Sequence, residues 1–327
     1  MTDHQGTRGF GRLGRGETWA LITALAYTAT NLLLRAAAVE IDPWLGSMLR
    51  QVPVFALAWG AVIIGRRAEV WPWSTRFLGW QFAIALVVGG TVSFVIGNLF
   101  YFNALASGGL GVTASGAQAG IILTALVAGL IALGERPSRQ VVTGATVLVG
   151  GLALIGLARG ASVDGWLAGL AFALGAGASY AISNVLTRLV QRTRPTTFVA
   201  LAGTSLGGLV PLLLIQVIRG GGNPIDGADP EQVLIVLAAG CFNAVALLGI
   251  VQSMRYTTVA IASSIQSSTV VFSYVAAVIL FAESSVPLMV AGVSTVAVGI
   301  VISQLGRRPA PAAPDPAATR PPGPAGS

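Results

Sequence analysis

Residues 26–36 read AYTATNLLLRA, and residues 179–189 read SYAISNVLTRL. Tyr27, Asn31 and Arg35 in the first stretch return as Tyr180, Asn184 and Arg188 in the second, each displaced by 153 positions. A second register, displaced by 148, pairs Gln118 with Gln266, Glu135 with Glu283, Gly144 with Gly292 and Gly151 with Gly299. Self-similarity at a fixed spacing marks a duplicated structural unit. The five-residue difference between registers is what unequal loops produce, so the chain reads as two copies of one unit.

Both stretches lie in long apolar runs. Of 327 residues, 54% are apolar and 9% charged, against roughly a quarter charged in a soluble domain. A spanning helix needs about 20 predominantly apolar residues. Ten runs of about that length are separated by charge, Pro or Gly clusters: Trp19–Ala38, Pro43–Gly65, Phe77–Ala106, Val112–Gly134, Val141–Ala158, Gly165–Leu186, Phe198–Ile218, Val233–Met254, Val259–Ala282 and Val286–Leu305. The third is long enough for a tilted or broken helix, with Gly97 the expected break. The pattern predicts an all-α integral membrane protein with ten transmembrane helices. The first five-helix repeat falls in 17–160 and the second in 161–306. The Gly/Arg-rich segment 1–16 and the Pro/Ala-rich segment 307–327 are too poor in bulky apolar residues to fold, and are expected to be disordered cytoplasmic tails.

Five spans per copy is an odd number, so the second copy must cross the membrane in the opposite sense, as inverted repeats do. The basic residues agree. All 19 are Arg, and with a cytoplasmic N-terminus 15 of them fall on the cytoplasmic side, a strong positive-inside bias. Arg35, Arg159 and Arg219 fall outside, and Arg50 lies within the second span. This placement accounts for a pI of about 10.7 without a nucleic-acid partner. All seven Trp residues sit at or near predicted interfaces, where an amphipathic ring is favoured.

Composition removes several chemistries. The single His is His4, in the N-terminal segment, and the single Cys is Cys241, within an apolar run. A His-based metal site, a Ser-His or Cys-His nucleophile pair and an intrachain disulfide all lack their residues. No Asp or Glu falls in a span interior, so a proton relay through a buried carboxylate has no candidate, and facilitated or exchange transport is the expectation.

At the junction of the fourth and fifth spans, Gly134-Glu135-Arg136-Pro137 is followed by Gln140, Gly144, Gly150 and Gly151. In the second copy Glu283 and Gly292 keep the pattern, whereas Ala282 and Ser284 replace the Gly and Arg. Leu49-Arg50 opens the second span, and Phe102-Asn103-Ala104-Leu105 closes the third. In the order and duplication of these motifs, residues 17 to 305 resemble the ten-helix EamA-type members of the drug/metabolite transporter superfamily. The resemblance implies ten helices around a central cavity. It also implies movement of small metabolites, often amino acids or related compounds and commonly outward, with no cofactor.

Asn31 stands one turn after Tyr27, and Asn184 one turn after Tyr180, so each pair shares a helix face. Duplicated positions of inverted repeats lie near the pseudo-two-fold axis, where substrate binds, which makes these four residues candidates to line a midplane cavity. Gln118 and Gln266 are the other duplicated intramembrane amides; each faces the cavity or pairs across the repeat interface. Arg50, about 10 Å from its helix start at 1.5 Å per residue, either attracts a substrate carboxylate or pairs with Glu40 or Asp42. Phe94, Phe100, Tyr101, Phe102, Phe272 and Tyr274 are candidate pocket walls, but residues 100 to 102 cannot all point one way on a helix. Glu135, beside Arg136 and Arg139, suits an interfacial ion pair. The expected partners are a small-molecule substrate and the lipid bilayer, with the oligomeric state left open. The alternatives are a non-transporting membrane scaffold or sensor, and a membrane-embedded enzyme; the latter lacks an intramembrane Asp pair and a usable His.

Overall fold

A computed structural model of the chain describes residues 14–65, 67–74, 77–132, 138–159, 165–193, 197–220, 223, 225, 227–256, 265–266, 268–283 and 286–305. These residues form α1 (Arg15–Ala37), α2 (Pro43–Ile64), α3 (Trp80–Gly90), α4 (Asn98–Ala132), α5 (Arg139–Arg159), α6 (Trp166–Thr193), α7 (Thr197–Arg219), α8 (Pro230–Tyr256), α9 (Ser268–Phe281) and α10 (Pro287–Leu305). A single 3-10 turn, Ala68–Val70, follows α2, and a π-helical segment, Thr91–Gly97, joins α3 to α4. No strand occurs among the described residues. Residues 1–13 and 306–327, which hold most of the two expected tails, lie outside the described residues, as does the Glu135-Arg136 junction.

Local chemistry sets the helix starts. The Glu17 carboxylate accepts the Gly14 N–H at 2.6 Å, starting α1 two residues inside the segment expected to be a tail. At α2, Pro43 occupies the first turn and Asp42 Oδ1 accepts the N–H groups of Trp44 (3.0 Å) and Leu45 (3.1 Å), satisfying donors that a helix start leaves unpaired. At Gly97, the expected break, the helix bulges and does not end. There the Asn98 N–H donates to the Ser93 carbonyl, so the π turn keeps the backbone bonded while shifting its register by one residue. The rod continues to Gly109, whose φ of 73° and ψ of 175° only glycine adopts readily.

Among the described residues, six stretches are long and apolar enough to cross a membrane: Arg15–Ala37, Pro43–Ile64, Trp80–Thr124, Trp166–Thr187, Thr197–Arg219 and Pro230–Ile250. Trp80–Thr124 has 45 residues, about 68 Å at 1.5 Å per residue and roughly twice a bilayer core. Arg139–Ile155, Ser268–Phe281 and Pro287–Ser303 are apolar but shorter. Large apolar side chains such as Ile64, Leu157, Ile218 and Ile279 are exposed. A surface of this kind suits lipid contact, because in hydrocarbon an outward Ile carries no penalty.

The most extensive helix pairs join the first half of the chain to the second: α4 with α6, α5 with α10, α1 with α8, and α2 with α7 and α8. Hydroxyls stitch them. Thr30 Oγ1 lies 2.9 Å from the Ala26 carbonyl and 3.3 Å from that of Ala239, and Thr91 Oγ1 donates to the Gly207 carbonyl at 2.9 Å. Between α5 and α10, the duplicated glycines meet crosswise. A Cβ on Gly144 would stand 2.7 Å from the Gly299 carbonyl oxygen, and one on Gly151 2.9 Å from that of Gly292. Close backbone approach through small residues is how helices associate when burial from water supplies no drive.

The same argument gives a graded expectation. A Cβ on Gly207 would overlap the Val87 carbonyl, whereas one on Gly150 meets nothing within 4 Å. Gly207→Ala should therefore cost about 1–3 kcal/mol through forced overlap, read as a lowered melting temperature in detergent. Gly150→Ala should be neutral or slightly stabilising. Equal melting temperatures for the two variants would contradict the packing described.

Candidate functional site

α2 carries Arg50 into the bundle, where its residue exposure is 8%. One terminal nitrogen donates to Asn98 Oδ1 on α4 and the other to Asn243 Oδ1 on α8, both at 3.2 Å. The guanidinium carbon stands 5.7 Å from the centre of the Tyr101 ring, within cation–π range. Nε is buried without a hydrogen-bond partner. Arg50 pairs with neither acid of the first loop. Asp42 caps α2 and holds Arg219 through two bonds of 3.0 and 3.2 Å, and Glu40 accepts from Gln232.

The network extends beyond the guanidinium. The Tyr180 hydroxyl donates to Asn98 Oδ1 at 3.0 Å. The Tyr101 hydroxyl donates to Asn31 Oδ1 at 2.7 Å, and Asn31 Nδ2 donates to Ser273 Oγ at 3.2 Å. Tyr27 is within electrostatic reach of Arg50 and Tyr180. The π segment delivers Asn98, and its last residue, Gly97, leaves room for the phenol: a Cβ there would come within 2.8 Å of the Tyr180 ring. Helices α1, α2, α4, α6, α8 and α9 thus each contribute a polar group to one buried cluster.

Of the residues singled out from the sequence, Tyr27, Asn31, Arg50 and Tyr180 come together. Asn184 does not: it is exposed on α6, although its counterpart Asn31 is buried. Gln118 and Gln266 are half-buried and take no part in the hydrogen bonds around Arg50; the Gln266 amide nitrogen is buried without a partner. The aromatic candidates divide as helical geometry requires. Tyr101 joins the network, Phe102 is fully buried against Gly46, and Phe100 packs on Gly175 and Phe172. An apolar crevice of about 110 Å³ lined by Thr124, Ala181, Ile182, Val185 and Leu186 holds none of the network's residues.

Sequence reasoning missed Asn98, Asn243 and Ser273. The signal was present for the first two, since each is an amide inside a predicted span, where polar groups need a partner. Neither has a counterpart in the two repeat registers, so duplication does not mark them.

A second buried charge is fully compensated. The Glu283 carboxylate, at the end of α9, accepts Arg35 Nε at 3.3 Å, the Leu110 N–H at 2.7 Å and the Gly111 N–H at 3.1 Å. Its side chain is 7% exposed. Those N–H groups open the helical stretch after the Gly109 break, where a carboxylate satisfies free donors and meets the positive end of the helix dipole. One side chain thus closes an ion pair between halves and caps a helix.

Residues 167–305 match the EamA-like transporter family. Among the solved structures, 22 chains match. One, titled only "Crystal structure of protein", is 19% identical, covers 89% of this chain and 96% of its own, and superposes with a TM-score of 0.60; at that identity it attests the fold alone. No curated protein matches. A family of small-solute transporters and a set of long apolar helices make this a multi-pass membrane protein. The match covers the second half of the chain, residues 167–305, and agrees with the EamA-type resemblance read from the sequence motifs.

Proposed function

We propose that the protein carries a small metabolite across the membrane by alternating access around the Arg50 cluster. In this reading ten spans form two inverted five-helix repeats, 17–160 and 161–306, with both termini cytoplasmic. The observation that carries it is Arg50 itself, buried where α2, α4 and α8 meet and held by Asn98 and Asn243. An intramembrane ionisable residue facing the bundle interior is the usual mark of a substrate or ion path. Tyr27, Asn31 and Tyr180 border it, and Asn184, Gln118 and Gln266 would face the solute at other stages of the cycle.

Three features support the inverted repeat. The Gly144–Gly299 contact maps onto the Gly292–Gly151 contact when the two halves exchange roles, as expected where a two-fold axis passes between α5 and α10. The pairing of α2 with α8 has its counterpart in that of α7 with α3. The unequal burial of Asn31 and Asn184 is what a carrier open to one side produces at equivalent positions. Here the closed side is the one with the Arg35–Glu283 pair, external in this topology. The resemblance favours export of amino acids or related compounds.

Topology provides the test. Cysteines introduced at Arg67 and Asp226 on a Cys241→Ser background are expected to label from opposite faces of the membrane. Labelling of both from one face would contradict the inverted-repeat reading. Asn184→Cys should label readily and Asn31→Cys poorly in the resting protein.

A further inference from the structure

We infer that the Arg50 site recognises its solute through a single carboxylate, and that the solute crosses as a net monoanion. The inference rests on the transporter reading and, among the compounds related to amino acids, takes the substrate to be a carboxylate without the ammonium group. Arg35, half-buried, and Arg50, buried, differ in their partners. Arg35 has Glu283 at 3.3 Å; among the described residues the groups that Arg50 meets are neutral, the oxygens of two amides and tyrosine side chains. Among the described residues, no carboxylate lies within ion-pair distance of Arg50. Arginine keeps its proton at any accessible pH, so the site holds a full positive charge in a medium that stabilises it poorly.

The hydrogen bonds point the same way. Two donors at the centre of the cluster, Arg50 Nε and Asn98 Nδ2, are buried and unpaired. The orientation of Asn98 is fixed, because its Oδ1 receives both Arg50 and the Tyr180 hydroxyl, which leaves its nitrogen facing away from them. A cluster with surplus donors and one uncompensated cation calls for an acceptor-rich anion. Nε and a terminal nitrogen form the planar fork that a carboxylate engages through both oxygens. One cation balances one negative charge, so a monocarboxylate fits better than a doubly charged phosphate. A zwitterion would bring an ammonium group for which the described cluster offers no carboxylate.

With no Asp, Glu or His among the described residues of the cluster to carry a compensating proton, each cycle moves one negative charge. An inside-negative potential then drives the solute outward, about tenfold in equilibrium ratio for every 59 mV. The cell's resting potential alone would make such a carrier an exporter.

The test uses the purified full-length chain in two formats. In detergent, melting temperature is followed against lactate, pyruvate, benzoate and phenylacetate, each beside its primary amide, and against leucine, methylamine and inorganic phosphate. At least one carboxylate should raise the melting temperature where its amide does not. Asn98→Asp supplies an internal counter-charge; it should raise the melting temperature of the ligand-free protein and abolish the carboxylate response. Arg50→Lys should weaken that response at least tenfold by losing the fork. In proteoliposomes, efflux of the responding carboxylate should quicken when valinomycin sets the interior negative.

Stabilisation by leucine, methylamine or phosphate and by none of the carboxylates would overturn the inference while leaving the transporter reading intact. So would the absence of any response, or an Asn98→Asp protein that still responds. Electroneutral flux would remove the monoanion claim. A carboxylate that binds through Arg50 but is never transported would uphold the recognition and remove the transporter reading instead.

Discussion

Arg50→Gln is expected to eliminate carrier-mediated flux without lowering the melting temperature of the ligand-free protein. Removing one partner of a desolvated charge pair costs about 2–5 kcal/mol of binding, roughly 30-fold to several thousand-fold in affinity at 1.4 kcal/mol per decade. Folding should respond differently. The guanidinium is buried against two neutral amide oxygens with no described carboxylate, so replacing it by a neutral amide removes a desolvation penalty along with two hydrogen bonds of modest net value. Saturable flux and melting temperature, measured on the same preparation, separate the roles. A residue that only braces α2 against α4 and α8 would lose both together, and that result would remove Arg50 from the transport site.

Glu283→Ala should produce the largest loss of stability of any single substitution considered. It strands Arg35 and frees the Leu110 and Gly111 N–H groups at once. Breaking a buried pair from one side costs about 3–5 kcal/mol, chiefly because the remaining charge is uncompensated. Arg35 is 21% exposed at its side chain and regains some hydration, which sets the expectation at the lower end. Glu283→Gln keeps an acceptor for the two N–H groups and should lose less. A double-mutant cycle with Arg35→Gln isolates the charge–charge part. Additive losses in that cycle would mean that Glu283 acts as a helix cap alone.

The helical architecture was legible in the sequence because hydrocarbon imposes one rule on every span: about 20 apolar residues, each with its backbone bonded within the helix. The run that opens at Pro43 coincides with the start of α2, whereas the glycines at 144, 151, 292 and 299 were legible only as a duplicated pattern, and their close contacts show in the folded bundle. The break at Gly109 falls between the third and fourth predicted spans, but the form of the irregularity at Gly97, inside the third, was less legible: composition cannot distinguish a π turn, which keeps its hydrogen bonds, from a residue at positive φ, which gives them up. What separates them is distant in sequence: the Glu283 carboxylate waiting for the freed N–H groups of Leu110 and Gly111.

The site was half legible for a related reason. Arg50 declared itself through cost, since a charge inside a span needs an explanation, and Asn31 and Tyr180 through duplication. Duplication does not carry burial with it at Asn184. Two positions equivalent in sequence need not be equivalent in one conformation of a carrier, and Asn184 is exposed where Asn31 is buried. Asn98 and Asn243 stood inside predicted spans, but only the folded bundle brings residues 50, 98 and 243 around one guanidinium.

Solute flux tests the central claim most directly. The purified chain, reconstituted into liposomes loaded with a mixed pool of isotopically labelled small metabolites, is followed for efflux beside Arg50→Gln protein and protein-free liposomes. The account predicts saturable efflux of at least one solute from the native protein, inhibited by an excess of that solute unlabelled and absent from the Arg50→Gln vesicles. Efflux equal to that of protein-free liposomes for every solute in the pool, or saturable efflux that Arg50→Gln leaves unchanged, would contradict it.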